Sequence, residues 1–266
     1  MNNSRWEKDR LAAKLQSGIL LVSLAALLGL LGWMVVGLQM ALTLIGAVIV
    51  LYWFGPMMSP TVLVKINSGR RLIPAEAPRL HEMLRSISLK AGLERPPALY
   101  YLPTEAMLAF TAGLRDHAVI AISDGMMRRL SRQELAAVLA HEISHIRHDD
   151  IRIMALAGLA GRFTQLLSVF GQFMLLLSLP MVFMGQLMIS WPAIFLLIFS
   201  PTLSSLLQLA LSRAREYNAD MGAAELMGNP GPLASALAKI ERVQQSQFSR
   251  VLWPTVARMP QTSWLR

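Results

Sequence analysis

The chain has 266 residues and a mass of 29.4 kDa; hydrophobic residues make up 54% of it and charged residues only 15%. A soluble globular domain carries roughly 25% charged residues, so the composition excludes an acidic disordered chain, a collagen-like repeat and a typical cytosolic enzyme. Cysteine is absent, which removes a disulfide framework, thiolate metal ligands and a cysteine nucleophile from consideration, and the formal net charge is +9.

The distribution of that charge carries more than its sum. Fifty consecutive residues between Lys14 and Lys65 contain no Asp, Glu, Lys, Arg or His, and fifty more between Arg162 and Arg213 repeat the pattern. A helix that crosses a bilayer takes about 20 apolar residues. Each run is too long for one crossing and fits two joined by a turn. The sequence therefore predicts four transmembrane helices: 17–36 and 40–54, turning near Gly37, Leu38 and Gln39, then 164–184 and 191–211, turning near Gly185 and Gln186. Trp53 and Trp191 fall near span ends, as interfacial aromatics do.

Four Lys or Arg precede the first hairpin, fourteen lie from Lys65 to Arg162, and seven follow from Arg213, with none in the two intervening turns. By the positive-inside rule both termini and the middle segment face the cytoplasm. Membrane orientation then accounts for the net charge, and no nucleic-acid partner is needed. The expected plan is a cytoplasmic segment 1–16, a transmembrane hairpin 17–54, a water-facing domain 55–162, a second hairpin 163–211 and a cytoplasmic segment 212–266.

Within the water-facing domain, Leu80, Met83, Leu84 and Ile87 recur at helical spacing and predict an amphipathic helix over 77–90. Residues 98–102 and 118–123 read as strands, and 107–110 as a third. Ser131 and Glu134 form a capping box, so a helix is expected from about Arg132 through His148, with His148, Asp149 and Asp150 as its polar end. After Arg213 a helix is expected to about Met227, then a turn over 229–232 and another helix from about Leu233.

The capped helix contains His141-Glu142-Ile143-Ser144-His145. Residues four apart share one helical face, so both imidazoles can address one metal ion, and Glu142 lies beside the first ligand where it can reach an attacking water. Two neutral nitrogen ligands in a cysteine-free chain suit zinc. A catalytic site needs a third protein ligand. The metzincin spacing would put Gly and His where His148 and Ile151 stand, which excludes that subclass. A glutamate from another helix is the common alternative. Glu216 and Asp220 are four apart in 212–220: Glu216 can bind the metal, and Asp220 can accept a hydrogen bond from a ligand histidine such as His141. The same spacing also fits a solvated juxtamembrane helix with Arg213 and Arg215 as partners. Two spans separate His145 from Glu216, and an even number returns the chain to the same side of the membrane.

The stretches Glu134-Leu-Ala-Ala-Val-Leu-Ala-His-Glu-Ile-Ser-His145 and Ser212-Arg-Ala-Arg-Glu-Tyr-Asn-Ala-Asp220 resemble the HtpX-type membrane zinc metalloproteases, relatives of the CAAX prenyl endopeptidases. Ala109-Phe110-Thr111-Ala112-Gly113 and Val119-Ile-Ala-Ile-Ser123 agree as well, and the similarity covers roughly residues 10–225. The resemblance implies a mostly α membrane protein, with four transmembrane helices and a cytoplasmic α+β gluzincin-like catalytic domain holding a small sheet. It implies one zinc ion per chain on His141, His145 and Glu216, with Glu142 as catalytic base and Asp220 behind a ligand. It further implies a bacterial inner membrane, protein or peptide substrates, and damaged or misfolded membrane proteins among them.

Arg213 and Tyr217 flank Glu216 and are candidates for stabilising the oxyanion. Leu108, Ala109 and Phe110 are candidates for an edge strand that adds an extended substrate by backbone hydrogen bonds, although an ordinary buried strand fits them equally. Two departures stand out: Leu108 replaces the family's usual Asn, and Met259-Pro260-Gln-Thr262 is only faintly similar to its closing His-Pro-x-Thr, as in a truncated chain or a divergent member. The rival class is a catalytically inactive zinc-binding membrane scaffold or adaptor, against which the intact Glu142 argues. A transporter is disfavoured because the spans hold no ionisable residue. A homo-oligomer is left open.

Overall fold

The computed structural model describes residues 3–54, 64, 68–114, 117–185 and 190–252. In chain order its elements are α1 (Asn3–Val36), α2 (Leu38–Phe54), β1 (Arg70–Arg71), α3 (Pro78–Lys90), β2 (Ala98–Leu102), β3 (Ala109–Ala112), β4 (Val119–Ser123), α4 (Asp124–Arg129), α5 (Arg132–Arg147), α6 (Asp150–Phe183), α7 (Trp191–Met227) and α8 (Gly231–Leu252). Two compact units emerge, Met1–Met57 with His148–Asn218 and Met58–Arg147 with Ala219–Arg266. Gln186 of the second predicted turn, and 259–262, lie outside the described residues.

The first unit is helical. Lys14–Val35, Asp150–Phe183 and Trp191–Met227 are long and apolar enough to cross a membrane, and α2 carries a shorter apolar stretch, Ala41–Val50. Leu24 and Leu28 of α1, Val48 of α2, Ala157 and Ala160 of α6 and Leu211 of α7 form its packed interior. Val22, Leu166, Phe183 and Trp191 stay exposed. Water would charge such a surface about 25 cal/mol per Å²; hydrocarbon does not. Helix α6 begins at Asp150, well before the expected span start at 164. Charge marks where lipid can begin, whereas a helix continues through Arg152 and Arg162 because nothing there breaks it.

Pro201 lies inside α7. It has no N–H, so the carbonyl of Leu197, four residues earlier, loses its helical donor. Ser168 and Gln172 of α6 supply replacements: the Ser168 hydroxyl donates to Leu197 O, and Gln172 Nε2 donates to it at 3.1 Å. Gly171 makes the approach feasible, since a Cβ there would sit 2.4 Å from Leu197 Cδ2. In a bilayer the chain must satisfy its own backbone, and these two side chains do so at the proline.

The second unit is built on a four-stranded sheet of order β1-β2-β4-β3, with β2 and β4 parallel and both outer pairings antiparallel. Strand β4 is buried along its whole length. Alternation sends Ile120 and Ile122 to a core with Leu84, Leu99, Leu139 and Ile143, while Val119 and Ala121 face Val64, Leu102 and Ala112 on the other side. The predicted third strand is shifted to Ala109–Ala112. Leu108 precedes it because its backbone is taken by Ser123: Leu108 N–H donates to Ser123 Oγ at 3.0 Å, and Ser123 N–H donates to Leu108 O at 2.9 Å. The same hydroxyl caps α4, a helix with no periodic signal in the sequence.

Candidate metal centre

Helix α5 starts as its sequence dictates. Ser131 N–H donates to Glu134 Oε2 at 2.7 Å, and Glu134 N–H donates to Ser131 Oγ at 3.3 Å, the reciprocal bonds of a capping box. Glu134 also accepts from Ser235 (2.6 Å) and Lys239 (2.8 Å) of α8. Lys239 first, then Ser235 and the Ser131 amide, hold its carboxyl down at about 2. Spacing in the sequence reveals only the cap; the second role of Glu134 is tertiary.

Two turns on, His141 and His145 lie on one face with Nε2 atoms 3.1 Å apart and rings nearly perpendicular at 87°. His141 Nδ1 lies 3.0 Å from Asp220 Oδ1 on the last turns of α7. A carboxylate hydrogen-bonded to Nδ1 of a ligand histidine keeps the proton there and leaves Nε2 free to bind a metal. Glu216 lies on α7, within the first unit. Two nitrogens bound to a tetrahedral zinc at 2.0–2.1 Å stand about 3.3 Å apart, so the imidazole pair fits such an ion without rearrangement.

Glu142 is 8% exposed. Its Oε2 accepts a 2.6 Å hydrogen bond from Thr111 Oγ1 on β3. The sequence carries no signal for Thr111 beyond its place in the stretch 109–113. Ala109 and Thr111 share the sheet face toward α5, while Phe110 and Ala112 point into the opposite core. Strand β3 is last in the sheet order, so its outer edge pairs with no strand among the described residues.

The other singled-out groups sort by environment. Arg213 and Tyr217 are exposed on α7. Arg215 is buried and bound to Asp150, also buried, and it donates to His148 O at 3.1 Å. Asp150 is therefore the buried start of α6 rather than part of a polar helix end, and Arg215 is not a solvated partner for Glu216. The left-handed Asp149, at φ 54°, makes the break between α5 and α6, a conformation Asp tolerates better than most residues. His81 packs with its Nε2 3.0 Å from Leu72 O.

Residues 74–262 match peptidase family M48. The chain belongs to that family. This M48 peptidase is 33% identical over 241 residues to a protease HtpX homolog of Methylibium petroleiphilum, covering 87% of this chain and 80% of that one. It is 34% identical over 238 residues to a protease HtpX homolog of Pyrococcus furiosus, covering 89% and 78%, and 31% identical over 258 residues to one of Paraburkholderia phytofirmans, covering 93% and 84%. No solved structure matches. The M48 peptidase is thus an HtpX-type membrane metalloprotease.

Proposed function

We propose that this chain is a zinc-dependent endopeptidase with His141, His145 and Glu216 as metal ligands, Glu142 as general base, and Asp220 holding His141 in its ligating tautomer. The observation that carries this is a pair of imidazoles with Nε2 atoms 3.1 Å apart beside a buried carboxylate that already has a fixed orientation. When bound, zinc supplies Lewis acidity, polarising the scissile carbonyl and acidifying the attacking water. Everything else falls to the chain's own groups. Thr111 holds Glu142 Oε2, which leaves Oε1 to take the water proton and return it to the leaving amine. The outer edge of β3 hydrogen-bonds the extended substrate backbone. Arg213 or Tyr217 supplies the oxyanion donor.

This reading has four spans, α2 being the shortest at 17 residues, and the Lys and Arg outside them favour both termini and the centre on the cytoplasmic side of a bacterial inner membrane. The length is at the low end of the range of about 17–25 residues for a crossing. Membrane proteins that have misfolded or suffered damage are the substrates this setting favours. The test is cleavage of an unfolded test protein by the detergent-purified, zinc-loaded chain beside its Glu142→Gln variant. Activity confined to the parent supports the reading. Inactivity of both, with zinc bound, would favour a zinc-binding scaffold.

A further inference from the structure

An open cleft of about 180 Å³ lies against Glu142 and His141, within the second unit. One wall is α8, which presents Leu233, Leu237, Ile240 and Gln244 at intervals of four, three and four residues, a single helical face. Val138 of α5 and Leu108 at the head of β3 contribute opposite it. Apart from Glu142 and His141 themselves, no lining residue is charged. Leu108 is 39% exposed and Leu237 44% exposed, so two large apolar side chains stand partly in water near β3, whose outer edge pairs with no strand among the described residues. A guest that displaced water from both would gain the transfer free energy of the area it covers. For scale, an apolar cavity of roughly 150 Å³ accepts a benzene ring.

Taking the protease reading as its basis, we propose that this cleft is the main specificity pocket of the enzyme. It takes a large uncharged side chain, of the size of Phe, Leu or Met, from a residue adjoining the scissile bond, and Leu237 sets its depth. A strand lying along β3 alternates its side chains, so one of them is directed to the α5 side of the sheet beside Ala109 and Thr111, where the cleft opens. Gly, Asp and Lys at that position leave the cleft wet or bury an unpaired charge, and cleavage falls accordingly. The chemistry accounts for preference among peptides that all satisfy the same backbone bonds.

The experiment uses the full-length, detergent-purified, zinc-loaded chain and a set of peptides differing only at the residues flanking the cleaved bond. The parent is expected to cut Phe, Leu and Met peptides at least tenfold better than Gly, Asp or Lys peptides, in line with the 10–200-fold worth of small changes in an apolar pocket. Leu237→Trp fills the cleft and should invert the order of Phe and Ala peptides. Leu237→Ala should widen acceptance toward bulkier side chains. Binding of the same peptides to Glu142→Gln, read by fluorescence anisotropy, reports the cleft without turnover, and Leu237→Trp in that background should weaken the Phe peptide selectively. An unchanged profile in an active Leu237→Trp enzyme would overturn the pocket and spare the protease reading. If the parent cuts none of the peptides and Glu142→Gln binds none, both fall. If the parent is inactive and Glu142→Gln still ranks the peptides as expected, the protease reading fails and the cleft survives as a peptide-binding site.

Discussion

At the scale of single residues, the proposed centre divides into groups that would hold an ion and groups that would position them. His145→Ala removes a ligand atom and should abolish stoichiometric zinc, measured by atomic absorption after dialysis. Glu142→Gln should keep the metal and lose turnover by about 10²–10⁴-fold, the usual worth of a general base. Asp220→Ala leaves all three proposed ligands in place, yet it removes the carboxylate 3.0 Å from His141 Nδ1. Zinc affinity should fall by about 10–100-fold, read by competition with a chelator; unchanged affinity would exclude the orienting role. A spacing argument can find residues that share a helix face. It cannot find Thr111, which reaches Glu142 only because the sheet brings residue 111 beside residue 142.

At the scale of elements, two helix contacts rest on polar atoms and can be tested as such. Glu134 ties the start of α5 to α8, and its carboxyl stands at about 2 against an ordinary 4.5. A depressed carboxyl contributes stability above its unfolded value and loses it as pH falls toward the folded one. The melting temperature of the parent should therefore decline between about pH 4.5 and 2 more steeply than that of Glu134→Gln. Within the first unit, Ser168→Ala with Gln172→Leu strips the donors from Leu197 O. Membrane hydrogen bonds are worth about 0.6–2 kcal/mol each, and a comparable loss is expected in detergent unfolding. Adding Pro201→Ala returns an amide to that carbonyl and should recover most of the loss; a double variant as stable as the parent would show the contact to be idle.

At the scale of the whole chain, the absence of cysteine makes orientation measurable. Single cysteines at Gly37 and at Arg132 should label from opposite sides of sealed inverted vesicles, Arg132 from the cytoplasmic side. Labelling of both from one side would refute the four-span topology. The same chain-wide pattern made much of the architecture legible in advance. The fifty-residue gaps in charge fall on the long apolar stretches of α1, α6 and α7 and the shorter one of α2, the capping box marks the start of α5, and β2 covers the expected residues 98–102. Less legible were β1, only two residues long, and α4, a six-residue helix held by the Ser123 cap. Elements that short carry no periodicity to detect.

By itself the sequence determined the membrane character, the family and the pairing of His141 and His145 on one helical face, because these depend on local quantities: uncharged length, motif spacing on one helix, and caps. Tertiary structure alone decided that Asp220 meets His141, that Thr111 fixes Glu142, that Asp150 is buried with Arg215, and that α8 closes one side of an apolar cleft beside the base. Each of those links residues dozens of positions apart. Periodicity says which face of an element is buried, but only packing says what it is buried against.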